Sequence, residues 1–140
     1  VVISETIGRI RDNVGTVKLI GGAAQFQAAA QANPRAVPAV FVIPLEENPS
    51  PNEVDSFVIQ RVAVTIGVIL VVRNVSDTTG EAAGEDMETL RKAVKDQLLG
   101  WQPSAEYDPL ERGRSGLLTF KDSHMWWQDI YLTTFIDRSV

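Results

Sequence analysis

Cysteine is absent from the 140 residues. That excludes a disulfide framework and thiolate-held metal, and it fits a reducing compartment. Histidine occurs once, at His124. A lone imidazole leaves a metal site or a general base without companions, since only Asp122 stands near it in the sequence, and the plain reading is a solvated turn residue. The same scarcity weakens any serine nucleophile, because one histidine would have to serve Ser104, Ser115, Ser123 or Ser139. Phosphate-cradling spacings are missing too. Gly21-Gly22 sits between a strand and an alanine-rich helix, but no lysine follows at the helix start, so a turn accounts for it.

Positive charge is in short supply: 13 Lys and Arg stand against 18 Asp and Glu, a formal charge of −5. Phosphate binding depends on cations that release counterions, so tight nucleic-acid binding is not expected, whereas DNA passing nearby without sticking is compatible with the charge. Long apolar runs are lacking as well. The richest, Val62 to Val72, falls well short of the ~20 residues of a membrane-crossing helix and is mostly β-branched, so it reads as a buried strand. The first residues, Val1-Val2-Ile3-Ser4-Glu5, hold neither a basic segment nor a long apolar core; no signal peptide is expected, and a cytosolic product is the simplest reading.

What is present is ordinary globular material, 44% hydrophobic and 22% charged, and the length suits a single domain over residues 1–140 with a core that needs no staples. Ile3, Ile7, Ile10 and Val14 fall at helical spacing, with Ser4 as expected N-cap and Gly15 beyond the end. A short strand over Thr16–Ile20 and an alanine-rich helix over Ala23–Ala32 follow, the latter ended by Asn33-Pro34. Pro38 to Leu45 reads as a strand bounded by prolines, and Glu46 to Glu53 as an exposed loop.

Phe57 to Val75 gives a strand signal of roughly 60 Å at ~3.3 Å per residue, far beyond the usual length of about five or six residues. Either Gly67 bends it or it projects from the domain. Val58, Val62, Val64, Ile66, Val68, Leu70 and Val72 make its core face; Arg61 and Arg73 lie on the mixed face, as solvated side chains or as interface ion pairs. Asn74 to Gly84 reads as a loop, and Glu85 to Leu99 as an amphipathic helix with Met87, Leu90, Val94 and Leu98 inward. Leu117–Lys121 and Met125–Ile136 read as a hairpin about Asp122-Ser123. The resulting class is α+β, a mostly antiparallel sheet with two amphipathic helices packed on one face and the other face left for partners.

The remaining polar clusters point away from catalysis. Glu46-Glu47 lies in the expected loop and Glu85-Asp86 at a helix start, where the dipole favours carboxylates. Trp101, Trp126 and Trp127 lack the basic groove of a base-stacking platform. Trp126 and Trp127 must face opposite sides of their strand, one to the core and one available to a neighbouring subunit, while Trp101 is expected in the core. No residue is assigned a catalytic, cofactor-binding or metal-ligating role. The candidate subunit or partner contacts are Glu46, Glu47, Glu53, Arg61, Arg73, Trp126 and Trp127.

Taken in order, Pro38-Ala39-Val40-Phe41-Val42-Ile43-Pro44-Leu45, the strand ending Val71-Val72-Arg73-Asn74, the helix from Leu90-Arg91 to Leu99, Gly100-Trp101-Gln102-Pro103, Pro109-Leu110, Gly116-Leu117-Leu118 and Trp127-Gln128-Asp129-Ile130-Tyr131 resemble the tail terminator family of long-tailed bacteriophages and prophages. The resemblance implies a small α+β virion protein that forms a homohexameric ring on the tail tube, stops its polymerisation and presents the surface for head attachment. It further implies tail tube protein and a head-tail connector or neck protein as partners, a place at the head-proximal end of the tail, and assembly in the host cytoplasm. Six copies at −5 each would line a negative ring through which DNA slides without specific binding. Two other readings stay open: a head-tail connector or tail completion ring protein, and, in a different class, a small-ligand-binding or enzymatic α+β domain.

Overall fold

The structure, a computed structural model, describes residues 1–74 and 80–139. Its elements run α1 (Val2–Asn13), β1 (Leu19–Gly21), α2 (Ala23–Ala32), β2 (Ala39–Pro49), β3 (Ile59–Arg73), α3 (Glu81–Leu98), β4 (Glu111–Lys121) and β5 (His124–Arg138). The five strands form one sheet in the order β1-β2-β3-β5-β4. Only β1 and β2 pair in parallel, joined by the crossover helix α2; the other neighbours are antiparallel. The fold is thus α+β, and the order of helices and strands follows the sequence patterning. Among the described residues no helix is long and apolar enough to cross a membrane.

Helices α1 and α3 lie on one face of the sheet. Ile10, Met87, Leu90, Val94 and Leu98 pack there against Val62, Val64, Ile66, Val68, Leu70 and Val72, the core face expected of the strand save Val58, which precedes β3 and is exposed. The opposite face is only partly open. Phe26 and Ala29 of α2 cover its end near Phe41, Ile69, Val71 and Trp126, forming a second, smaller core. That coverage corrects the expectation of a wholly free second face. An alanine-rich helix has little amphipathic contrast, so its sequence does not show which side it buries.

Several boundaries also differ. Helix α1 starts at Val2 with Val1 in the N-cap position, and Ser4 is inside it, donating its hydroxyl to Val1 O at 3.1 Å. Strand β1 is shifted to Leu19–Gly21. Helix α3 begins at Glu81, ahead of the expected Glu85, after Gly80 in a left-handed conformation at φ 86°; of the expected loop, residues 75–79 lie outside the described residues. Strand β4 starts at Glu111 instead of Leu117.

Strand β2 continues to Pro49, so Glu46 and Glu47 are strand residues and not loop. The prolines misled because a proline lacks the N–H that a ladder needs. Here β1 covers only Ala39, Val40 and Phe41. Beyond Phe41, β2 is an edge strand, where Pro44 and Pro49 cost no inter-strand bond on the open side.

Strand β3 runs unbroken for 15 residues and keeps one register with β5 from Ile59↔Arg138 to Arg73↔His124. Gly67 is therefore not a bulge. The irregularity belongs to its partner, where the register shifts between Pro44 and Glu46 and leaves Leu45 as the extra residue. A Cβ on Gly67 would stand 3.1 Å from Gln128 Oε1 and 3.3 Å from both Ile43 Cγ1 and Leu45 Cδ1. The glycine makes room for the bulge across the ladder.

At the other end of the sheet the β4–β5 hairpin turns on Asp122 and Ser123, as expected, both at positive φ (52° and 61°). Two successive residues in that region match a two-residue type I′ turn, whose twist suits a hairpin. Gly21-Gly22 proves to be packing and capping. A Cβ on Gly21 would lie 2.6 Å from Gln25 Cβ, and Gln25 Oε1 accepts the Gly22 N–H at 2.9 Å.

Candidate assembly surfaces

The first surface is the arm formed by the outer part of β2, the beginning of β3 and the segment between them. From Glu46 to Gln60 it holds Glu46, Glu47, Glu53 and Asp55 and no Lys or Arg. Its tip is organised by Asn52, whose amide donates to Val54 O and Phe57 O, each at 3.0 Å, while its Oδ1 accepts the Ile59 N–H at 3.0 Å. Such side-chain bonds to the backbone replace ladder bonds and fix the turn. The C-terminal end of β5 ties the tip down: Ser139 N–H donates to Val58 O at 2.9 Å and Ser139 Oγ accepts the Val58 N–H at 2.8 Å. The tip exposes Val54, Phe57 and Val58.

The second surface is β4, the far edge of the sheet. Its register with β5 shifts twice, between Arg112 and Ser115 and between Leu117 and Thr119. Bulges of this kind twist an edge away from further pairing. Leu117 and Leu118 are exposed to 53% and 49%, and with Arg114, Gly116, Gln128 and Ile130 they line a shallow groove of about 250 Å³.

Between α3 and β4 lies a buried charge cluster that the sequence reading missed. Asp129 is 3% exposed. Arg91 donates to both of its oxygens, at 2.8, 3.0 and 3.2 Å, and the Trp127 indole N–H adds a bond at 3.0 Å. Burial pushes the Asp129 carboxyl up, but hydrogen bonds from Arg91 and Trp127 and the charge of Arg91 outweigh it and hold the group below its ordinary value. Arg91 also covers the Trp127 ring at 4.5 Å. Tyr131, on the same side of β5, is pushed up to about 12, first by burial and then by the Asp129 charge. The available signal was the alternation of β5, which puts Asp129 among the inward residues Trp127, Tyr131 and Thr133.

The expected contact residues form no single cluster. Glu46, Glu47 and Glu53 lie on the arm, and Arg61 near its base pairs with Asp108 at 2.8 Å with both side chains largely exposed. Arg73 is exposed at the opposite end of β3, facing His124 across the ladder. The two adjacent tryptophans divide as alternation requires. Trp126 is buried against Phe26, with ring centroids 6.2 Å apart, while Trp127 is half-buried under Arg91. Trp101 is half-buried at the edge of the main core with the Arg9 guanidinium 5.5 Å above it.

His124 corrects its sequence reading. It is 6% exposed, and its Nδ1 lies 2.8 Å from Asp122 O, where the ring nitrogen must donate because a carbonyl only accepts. Among the described residues no group of three or more His, Asp or Glu could hold a metal ion. A cleft of about 410 Å³ opens between the start of α1 and the β2 bulge, and its ionisable side chains are Glu46, Glu47 and Tyr107.

A family model described as phage tail terminator protein matches residues 3–139. No curated protein matches the sequence. Among solved structures, a chain of the virion of native gene transfer agent (GTA) particle superposes with a TM-score of 0.51 over 94% of this chain and 92% of that one. The two sequences are 14% identical, so the likeness is one of fold.

Proposed function

The chain belongs to the phage tail terminator family, a family of virion structural proteins, and on that premise we propose that it closes into a six-fold ring on the end of the tail tube, stops tube polymerisation and presents the surface to which the head attaches. The observation that carries this reading is the extent of the family match. Residues 3–139 take in every helix and strand save the first residue of α1. The protein acts by assembly and not by catalysis, with tail tube protein on one side of the ring and a connector or neck protein on the other. Its place is the head-proximal end of the tail, reached by assembly in the host cytoplasm. A formal charge of −5 per subunit supports a lumen that repels DNA enough to let it slide.

The test is to image the purified protein, weigh it by native mass spectrometry, and add it to purified tube subunits. Rings that cap tubes and limit their length are the expected result. A protein that stays monomeric both alone and with tube subunits would overturn the reading. Rings that leave tube length unchanged would replace it with a connector or completion ring.

A further inference from the structure

We infer that the ring is built head to tail, with the acidic tip of the β2–β3 arm of one copy seated on the β4 edge of the next; this rests on the ring reading above. The two surfaces are complementary in both respects that govern association. The arm carries four carboxylates and no cation between Glu46 and Gln60, whereas β4 carries Arg112, Arg114 and Lys121 against Glu111 alone. Each also exposes large apolar side chains, Phe57 at 52% on the tip and Leu117 at 53% on the edge. Exposed apolar side chains grouped within a charged rim mark a surface that is covered in use.

The tip cannot reach Leu117 of its own β4. Leu117 lies opposite Trp127, while the tip begins where Ile59 meets Arg138. Those positions on β5 are about 35 Å apart at the ~3.3 Å rise of a strand. The two patches therefore meet only between copies. Because they are different surfaces, each copy offers one and receives the other, and a contact of that kind closes into a ring when its rotation allows. The tip suits the role because Asn52 and Ser139 hold it in shape before contact, so little ordering remains to oppose docking. Arg114 suits it because, unlike Arg112, which is drawn to Asp129 and Ser115, it makes no ion pair or hydrogen bond among the described residues.

The lack of cysteine makes the contact directly testable. Phe57→Cys and Leu117→Cys are prepared as separate proteins and treated with a short bismaleimide linker, alone and mixed. A covalent dimer that forms only in the mixture, and a ladder ending at the ring in the double variant, is the expected result. Rings that form without a 57–117 link overturn the inference and leave the ring reading standing; wild-type protein that stays monomeric alone and with tube subunits overturns both. A charge exchange gives an independent check. Asp55→Lys and Arg114→Glu should each raise the concentration needed for assembly at least tenfold, and the two together should recover most of it. Single variants that assemble at the wild-type concentration would sink the inference.

Discussion

Arg91 on α3 grips both oxygens of the Asp129 carboxylate on β5, at 2.8 to 3.2 Å, with the carboxylate side chain 4% exposed. Breaking such a pair from one side leaves an uncompensated buried charge and costs about 3–5 kcal/mol. Arg91→Ala should lower unfolding free energy in urea by that order. A loss below about 1 kcal/mol would mean that water reaches the carboxylate and that the pair does not hold α3 to the sheet.

The same pair sets an acid limit. Because the Asp129 carboxyl is held below its usual value, its contribution is present above the unfolded-state value of about 3.9 and fades as pH falls through the lower folded value. Asp129→Asn should therefore differ most from wild type near neutrality, with the gap narrowing as pH falls below about 4. Unfolding curves from pH 7 down to 2.5 decide it; a constant gap counts against the assignment.

At the alkaline end Tyr131 takes over. Its phenol is raised to about 12 from an ordinary value of about 10, so stability is intact below about 10 and declines as pH rises toward the folded value. The hydroxyl has no hydrogen-bond partner among the described residues. Tyr131→Phe should thus cost no more than about 1 kcal/mol at pH 7 and flatten the alkaline decline. A steep loss at pH 7 would show that the hydroxyl has a bonding partner after all.

Gly67→Ala should destabilise by about 1–3 kcal/mol, as overpacking does, since its Cβ would press on Gln128, Ile43 and Leu45. Gly116→Ala is the control, with nothing within 4 Å of its Cβ. Equal melting temperatures for the two would show that the Leu45 bulge yields freely.

The tryptophans should separate by burial. Trp126→Ala removes a ring that is 3% exposed and should cost about 3–5 kcal/mol. Trp101→Ala should also destabilise, by less, because Trp101 is only half-buried under Arg9. A reversal of that order, read by thermal unfolding, would place the weight of packing at the end of α3 instead of beneath α2.

Much of this was legible in the residues. The core face of β3, the inward stripe of α3 and the Asp122-Ser123 turn follow from period, and the order of elements follows from their punctuation. What escaped was set by neighbours. Whether a proline ends β2 depends on the length of β1, and whether α2 covers the sheet depends on a crossover that alanines do not advertise. The candidate contact residues share charge or size and a strand face but no place in the sheet order, so they scatter from the arm to the far end of β3. Spacing shows β4, which carries Leu117 and Leu118, only as a hairpin strand, because edge status is a property of the sheet order. Asp129 stood in plain view inside the tryptophan-bearing strand, yet its partner Arg91 is 38 residues away in the chain.

Strand β3 serves two cores at once, giving Ile66, Val68 and Leu70 to the helices α1 and α3 and Ile69 and Val71 to α2. A slip of one residue against either neighbour would send Thr65 and Gly67 beneath the helices and exchange the residues that fill the two cores, disturbing both together. Misregistered pairings are thus penalised twice. One strand thus ties the packing of both faces of the sheet to a single register.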